Sequence, residues 1–224
     1  GGISGNSIFM ATTDQVIVDD IEKHLPNKHI IKNVRKYTYL ITTTMNGSKN
    51  KIRKLLTETD LMGKTSHGKF IPDFIMQSTN DMVAIFLSRL FSADGWVDNK
   101  GVGYCSVSRE LIFGVQQLLL RFGIPSRIRK KKVKYNGEYR PAYHLEFRKL
   151  CSVERFRKKV GIFSKNDKLD LLLESKRLVG SKDHSDIIPI SISDQYDKLE
   201  KFRRTGPGGR RMSYLDRKAY DLLR

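Results

Sequence analysis

Between Ser7 and Thr12 polar and apolar residues partly alternate, as in a half-buried strand. From Val16 the apolar positions move to helical spacing. Val16, Ile17, Ile21 and Leu25 form one stripe behind Thr13-Asp14, a pair suited to capping a helix N-terminus. Two stretches rich in β-branched and aromatic residues, 29–34 and 37–43, predict strands, and a helix is expected over 51–61. The same order then recurs. A strand is predicted at 102–107, then Ser108 as a cap, then a helix carrying Leu111, Ile112, Val115, Leu118, Leu119 and Phe122. Strands over 126–135 and 139–147 follow, joined by Asn136-Gly137, a dipeptide that tolerates the positive φ angles of a tight hairpin. A helix over 152–160 completes the series. Each half closes with a loop, a lysine and a further helix, from Gly63-Lys64-Thr65 to Lys69 and from Phe163-Ser164-Lys165 to Lys168. Gly2 and Lys69 are 67 residues apart, and Gly95 and Lys168 are 73 apart. An ordinary α+β domain can alternate in this way by chance, but the matched lysines favour internal duplication.

This pattern divides the chain into a first half (1–80), a second half (81–180) and a basic helical appendage (181–224). The appendage starts at the polar run Ser181-Lys182-Asp183-His184-Ser185-Asp186. Gly206-Pro207-Gly208-Gly209 separates its two helical candidates, 194–203 and 213–223. Its alternative reading is a tail with frayed helices. The first residues, Gly1 to Asn6, have neither the positive nor the apolar region of a secretory signal, and the abrupt start is expected of a fragment.

Composition narrows the partner. Hydrophobic residues make up 39% of 224, enough for a core, while 42 Lys and Arg against 24 Asp and Glu leave a formal charge of +18. A folded protein with that excess attracts polyanions, and nucleic acid leads. No apolar run approaches membrane-spanning length, so no membrane partner is expected. Cys105 and Cys151 lack metal-ligand spacing, which points away from a disulfide framework or a zinc site and towards an intracellular location, cytoplasm or nucleoid. No small-molecule cofactor is expected.

The charge is concentrated. Residues 127–149 hold nine basic side chains, Arg127, Arg129, Lys130, Lys131, Lys132, Lys134, Arg140, Arg148 and Lys149, against Glu138 and Glu146. Alternation places Arg127, Arg129 and Lys131 on one face with Tyr135, while Ile128 turns the other way. Arg can read guanine edges in a major groove, whereas Lys mainly neutralises phosphate. The competing reading is an edge hairpin kept soluble by lysines.

Phe86-Leu87-Ser88-Arg89-Leu90-Phe91-Ser92-Ala93-Asp94-Gly95-Trp96-Val97 starts as a helix and ends in an acid-glycine step into a strand. Glycine lets the chain leave the helix sharply. A carboxylate at a helix C-terminus faces the negative end of the dipole and costs about 0.3–1 kcal/mol unless a cation compensates. A bound divalent metal is one such cation, and a plain helix-ending Asp-Gly turn is the commoner alternative. The segment resembles the LAGLIDADG signature, with Leu87, Leu90, Ala93, Asp94 and Gly95 matching. Gly68-Lys69-Phe70-Ile71-Pro72 is similar to the lysine-x-isoleucine-proline segment that intein homing endonucleases carry between their two aspartate motifs. Leu120 to Ile128 is similar to the helix-to-strand joint after the second motif. Gly1 to Ser7 reads as the strand that would follow a first motif.

The resemblance to LAGLIDADG homing endonucleases covers about residues 1–190. It implies a pseudo-twofold αββαββα α+β fold with curved antiparallel sheets that bind double-stranded DNA. It also implies Mg²⁺-dependent phosphodiester hydrolysis, and a monomer for the complete two-motif protein. Its site residues fall on Asp94, Lys69 and Lys168 as catalytic groups, with Asp94 and the Ala93 carbonyl on the metal. Lys165 lies close enough to serve in place of Lys168. Arg127, Arg129, Lys131, Lys134, Tyr104, Ser106 and Arg148 are assigned to DNA. The chain departs from the pattern at Arg89, where a small residue is usual, so Arg89 must point out of the helix interface or hold the helices apart. The first motif helix and its aspartate are missing, and no splicing segments are visible, so weak or absent cleavage is expected. A DNA-binding regulator or an RNA maturase on a degenerate version of the same fold are the alternatives.

Overall fold

Helix caps fall where the side chains that make them occur. In the computed structural model, which describes residues 2–4, 7–44, 50–135 and 137–178, Asp14 accepts from the Val16 N–H at the start of α1 (Gln15–His24). Asn50 accepts from Ile52 and Arg53 at the start of α2 (Lys51–Glu58). In the second half Ser108 accepts from Leu111 at the start of α5 (Arg109–Leu120), after the short helix α3 (Asp73–Met76) and the long helix α4 (Asn80–Asp94). These are the orphan N–H groups that a helix start leaves for side chains to satisfy. Helices α6 (Leu150–Lys159) and α7 (Asn166–Leu178) complete the series.

The strands are β1 (Gly2–Ser4), β2 (Ser7–Ala11), β3 (His29–Arg35), β4 (Thr38–Thr43), β5 (Gly95–Val97), β6 (Val102–Ser106), β7 (Arg127–Tyr135) and β8 (Glu138–Phe147). They form two four-stranded antiparallel sheets of the same order, β1-β2-β4-β3 and β5-β6-β8-β7. The duplication extends to local detail: Thr12 Oγ1 accepts from the Asp14 N–H, and Ser106 Oγ accepts from the Ser108 N–H. The expected α+β duplication is thus the observed architecture. The described residues all fall within one compact unit, 1–181, and the predicted appendage over 181–224 lies outside the described residues.

The core belongs mostly to the second half. Val83, Leu87 and Phe91 of α4, Val102 and Tyr104 of β6, Leu111, Ile112, Val115, Leu118 and Leu119 of α5, and Leu145 and Phe147 of β8 form one buried cluster with α6 and α7, against which Phe122, beyond the end of α5, packs partly buried. Phe91 sits at its centre, 5.5 Å from the Tyr104 ring and 5.0 Å from that of Phe156. Truncating such a side chain to Ala costs about 3–5 kcal/mol. In the first half the stripe expected on α1 is corrected. Val16 is 52% exposed and Val18 is the buried position, because the helix turns a different face inward. Leu25 ends α1 as its C-cap.

Candidate catalytic edge and nucleic-acid interface

α4 delivers Asp94 to an exposed end, and the next residue already belongs to β5. Gly95 has φ −81, open to any residue, so space rather than conformational freedom demands glycine. A Cβ there would lie 2.6 Å from the Phe91 carbonyl oxygen and 2.8 Å from its ring. The compensating cation for this helix end comes from the chain itself. Lys165 Nζ donates to the carbonyls of Ser92 at 2.9 Å and Gly95 at 2.8 Å, with Phe91 O at 3.5 Å. A positive charge on the last carbonyls of a helix is favoured by the dipole. The preceding residue adds to the same contact: the Ser164 N–H donates to Ser92 Oγ, which donates to Ser88 O. Burial, then the charge of Lys168, push the Lys165 ammonium below its ordinary range, while Asp94 and Asp14 pull the other way. Lys168 itself stays exposed. The lysine brought to the motif helix is therefore Lys165 rather than Lys168.

Lys69 is fixed through its backbone. Ile71 is buried against α5, where a Cβ at Gly114 would stand 3.0 Å from Ile71 Cδ1, and Pro72 opens α3. Ser108 Oγ, the cap of α5, donates to the Lys69 carbonyl. The two loop lysines thus meet the helix caps of opposite halves: Lys69 is tied to Ser108, and Lys165 feels the charge of Asp14. Arg89 is directed out of α4. Its guanidinium binds Asp20 of α1 through both oxygens, Nε at 2.6 Å and Nη2 at 2.9 Å, and lies 3.8 Å over the Phe163 ring.

The second sheet has two unlike faces. Tyr104, Leu145 and Ile128 are cross-strand neighbours facing the core. Tyr104 is 2% exposed, with burial and then Asp94 raising its hydroxyl pKa, so its assignment to DNA is corrected: it is a core residue. Ser106 has the same strand parity, and its hydroxyl holds the Ser108 N–H, so it too leaves the DNA face. The opposite face carries Arg127 beside Glu146, Arg129 beside His144, and Lys131 beside Ala142. Arg127, Lys131 and Lys134 are exposed, whereas Glu146 is mostly buried between Arg129 and Arg148 at 2.9 and 2.8 Å. Trp96 lies across Gly103, where a Cβ would meet its ring at 2.2 Å, and packs 5.5 Å from the His144 ring.

Glu146, His144 and Trp96 were not singled out from the sequence. The Asn136-Gly137 turn held the signal, because a two-residue loop sets Tyr135 opposite Glu138 and hence Arg127 opposite Glu146. Gly137 has φ +85, as such a turn requires, and Asn136 lies outside the described residues. Among the described residues no group of three or more His, Cys, Asp or Glu could hold a metal, and no helix is long and apolar enough to cross a membrane.

Residues 81–161, from α4 to the end of α6, match the LAGLIDADG-like domain family. The chain is 32% identical over 158 residues to the replicative DNA helicase DnaB of Synechocystis sp., covering 66% of this chain and 18% of that protein. It is 33% identical over 118 residues to glutamine–fructose-6-phosphate aminotransferase of Methanocaldococcus jannaschii, covering 50% of this chain and 10% of that protein. The chain thus spans less than a fifth of either relative. A solved structure of mesophilic variants of the homing endonuclease I-DmoI aligns with 69% of this chain and 73% of its own, at 16% identity and a TM-score of 0.47.

Proposed function

We propose that this chain is a site-specific double-stranded DNA endonuclease of the LAGLIDADG homing type, intracellular and intein-encoded. The observation that carries the reading is Asp94 at the exposed end of α4, next to the carbonyls that Lys165 binds, in the half that also holds the basic sheet face. A helicase and an aminotransferase share no chemistry, and each aligns with the chain over a small fraction of its length. An inserted element such as an intein accounts for that distribution.

The roles follow from chemistry. Asp94 and the Ala93 carbonyl are hard oxygen donors at exposed positions, which suits Mg²⁺, an ion that keeps room for water and phosphate oxygens. When bound there, Mg²⁺ would acidify water and neutralise charge building on the phosphate. Lys165 donates to the carbonyls beside Asp94, which puts its ammonium where it can order a water at that helix end; Lys69 takes the corresponding part in the first half. The basic face of β7 and β8 holds the duplex through Arg127, Arg129 and Lys131, with Arg148 just past the end of β8, while the exposed Lys134, of opposite strand parity, adds positive charge near the hairpin turn.

Residues 1–224 supply one motif acid, and Met82 and Ile85, on the Arg89 side of α4, are 54% and 56% exposed. A partner helix ending in a second Asp would cover them. Extending the chain before Gly1 by such a helix should give Mg²⁺-dependent double-strand cleavage, and Asp94→Asn in that version should abolish cleavage while leaving binding, since Asn keeps the shape and loses the charge. Tight duplex binding with no cleavage under any divalent metal would instead establish a DNA-binding regulator.

A further inference from the structure

The basic face of the second sheet contains a carboxylate that phosphate binding alone does not explain. Glu146 projects among Arg129, Arg148 and Lys131, and its side chain is 13% exposed while those of Arg129 and Arg148 remain 40% and 48% exposed. A negative charge at this place weakens attraction for a polyanion. Its effect on the two arginines is geometric. Arg148 Nη2 donates to Oε2 at 2.8 Å, and Arg129 Nη2 stands 2.9 Å from Oε1 without hydrogen-bond alignment. Two long side chains, one from β7 and one from just past the end of β8, are thereby aimed from one point, with N–H donors left over. Arg129 Nε, Glu146 Oε1 and His144 Nε2 are buried polar atoms that lack a hydrogen bond among the described residues, and all three lie on this face. A finished structural ion pair would leave no such capacity unused. Trp96, laid across Gly103 and against His144, closes one side of the cluster.

We propose that Glu146 is a positioning residue that holds Arg129 and Arg148 as rigid forks for guanine edges in the major groove of duplex DNA, while Arg127, Lys131 and Lys134 neutralise phosphates. This rests on the duplex-DNA reading above and divides the basic side chains into those that carry sequence information and those that do not. Guanine offers two acceptors, O6 and N7, to a bidentate arginine, and a fork already oriented loses less side-chain freedom on binding. Lysine is a point charge on a flexible stem and cannot supply that geometry.

The test uses the full chain and a pool of duplex DNA with a randomised central segment. The wild-type chain should enrich sequences with fixed guanines. Glu146→Gln and, separately, Arg129→Lys should lower the ratio of affinities for the enriched and a scrambled duplex about ten- to hundredfold. Affinity for the scrambled duplex should fall far less than affinity for the enriched one, because Arg129→Lys keeps and Glu146→Gln raises the positive charge of the face. Arg129→Lys keeps the charge, so it separates fork geometry from electrostatics and stands in if Glu146→Gln fails to fold. Retention of discrimination in a folded variant, or duplex binding by the wild-type chain without any enrichment, would overturn the guanine-fork assignment and leave the duplex-DNA reading intact. No binding to any duplex would overturn both.

Discussion

Arg89 of α4 and Asp20 of α1 form a two-pronged ion pair that joins the two halves of the chain. The pair is held at 2.6 and 2.9 Å, with Asp20 14% exposed and the guanidinium stacked on Phe163. Phe163 precedes by two residues the lysine that caps α4. Arg89 is thus where the first half, the motif helix and the Lys165 loop touch. A double-mutant cycle of Arg89→Ala and Asp20→Ala, followed by urea unfolding, should give a coupling of about 1 kcal/mol, larger than for a typical exposed pair because one partner is largely buried. Additive effects would mean that the halves are held together without this ion pair.

Lys165 and Lys168 should separate cleanly. Lys165→Met leaves the Ser92 and Gly95 carbonyls without their donor and should destabilise the fold by about 1–3 kcal/mol. Lys168→Met, at an exposed helical position, should stay within about 0.5 kcal/mol of the parent. Thermal melts compare them directly, and equal effects would remove the capping role given to Lys165.

Acid should weaken the protein through Glu146 and Asp170. In Glu146 burial alone would raise the pKa from its ordinary 4.5, but the Arg148 hydrogen bond and the charges of Arg148, Arg129 and Lys131 outweigh it and the net shift is downward. In Asp170 the paired hydrogen bonds from Arg157 lead, and the pKa falls below its ordinary 3.8. A depressed carboxyl binds fewer protons in the folded state. Its contribution is therefore complete above the ordinary value and is lost as pH falls through the folded one. Urea midpoints should hold from about pH 7 to about pH 5 and fall below about pH 4. Glu146→Gln with Asp170→Asn should flatten that fall.

Salt should govern affinity for duplex DNA. Replacing Arg127, Lys131 and Lys134 with Ala should weaken binding and reduce the slope of log affinity against log salt by about one for each phosphate that is no longer neutralised. Fluorescence anisotropy titrations across a range of salt concentrations measure both quantities, and an unchanged slope would remove this strand from the interface.

Element order, caps, the hairpin turn and the duplicated α+β plan were legible along the chain, because they depend on residues within a few positions of one another. Asp14 and Ser108 accept from N–H groups two or three residues away, and the Asn-Gly dipeptide at 136–137 is itself the turn signal. The aspartate at the end of α4 belongs to this local class, since a helix periodicity followed by Asp-Gly locates it. Tertiary structure decided the rest. Whether Lys165 or Lys168 reaches α4 depends on how the loop after α6 crosses the core, and Arg89 found its partner 69 residues away. Tyr104 and Cys105 are adjacent in sequence and reside on opposite faces of one strand. Alternation shows that the two faces differ, but only packing of β6 and β8 against Phe91 and Phe156 decided which side is core. Burial is a property of the assembled sheets and helices, and no single segment contains it.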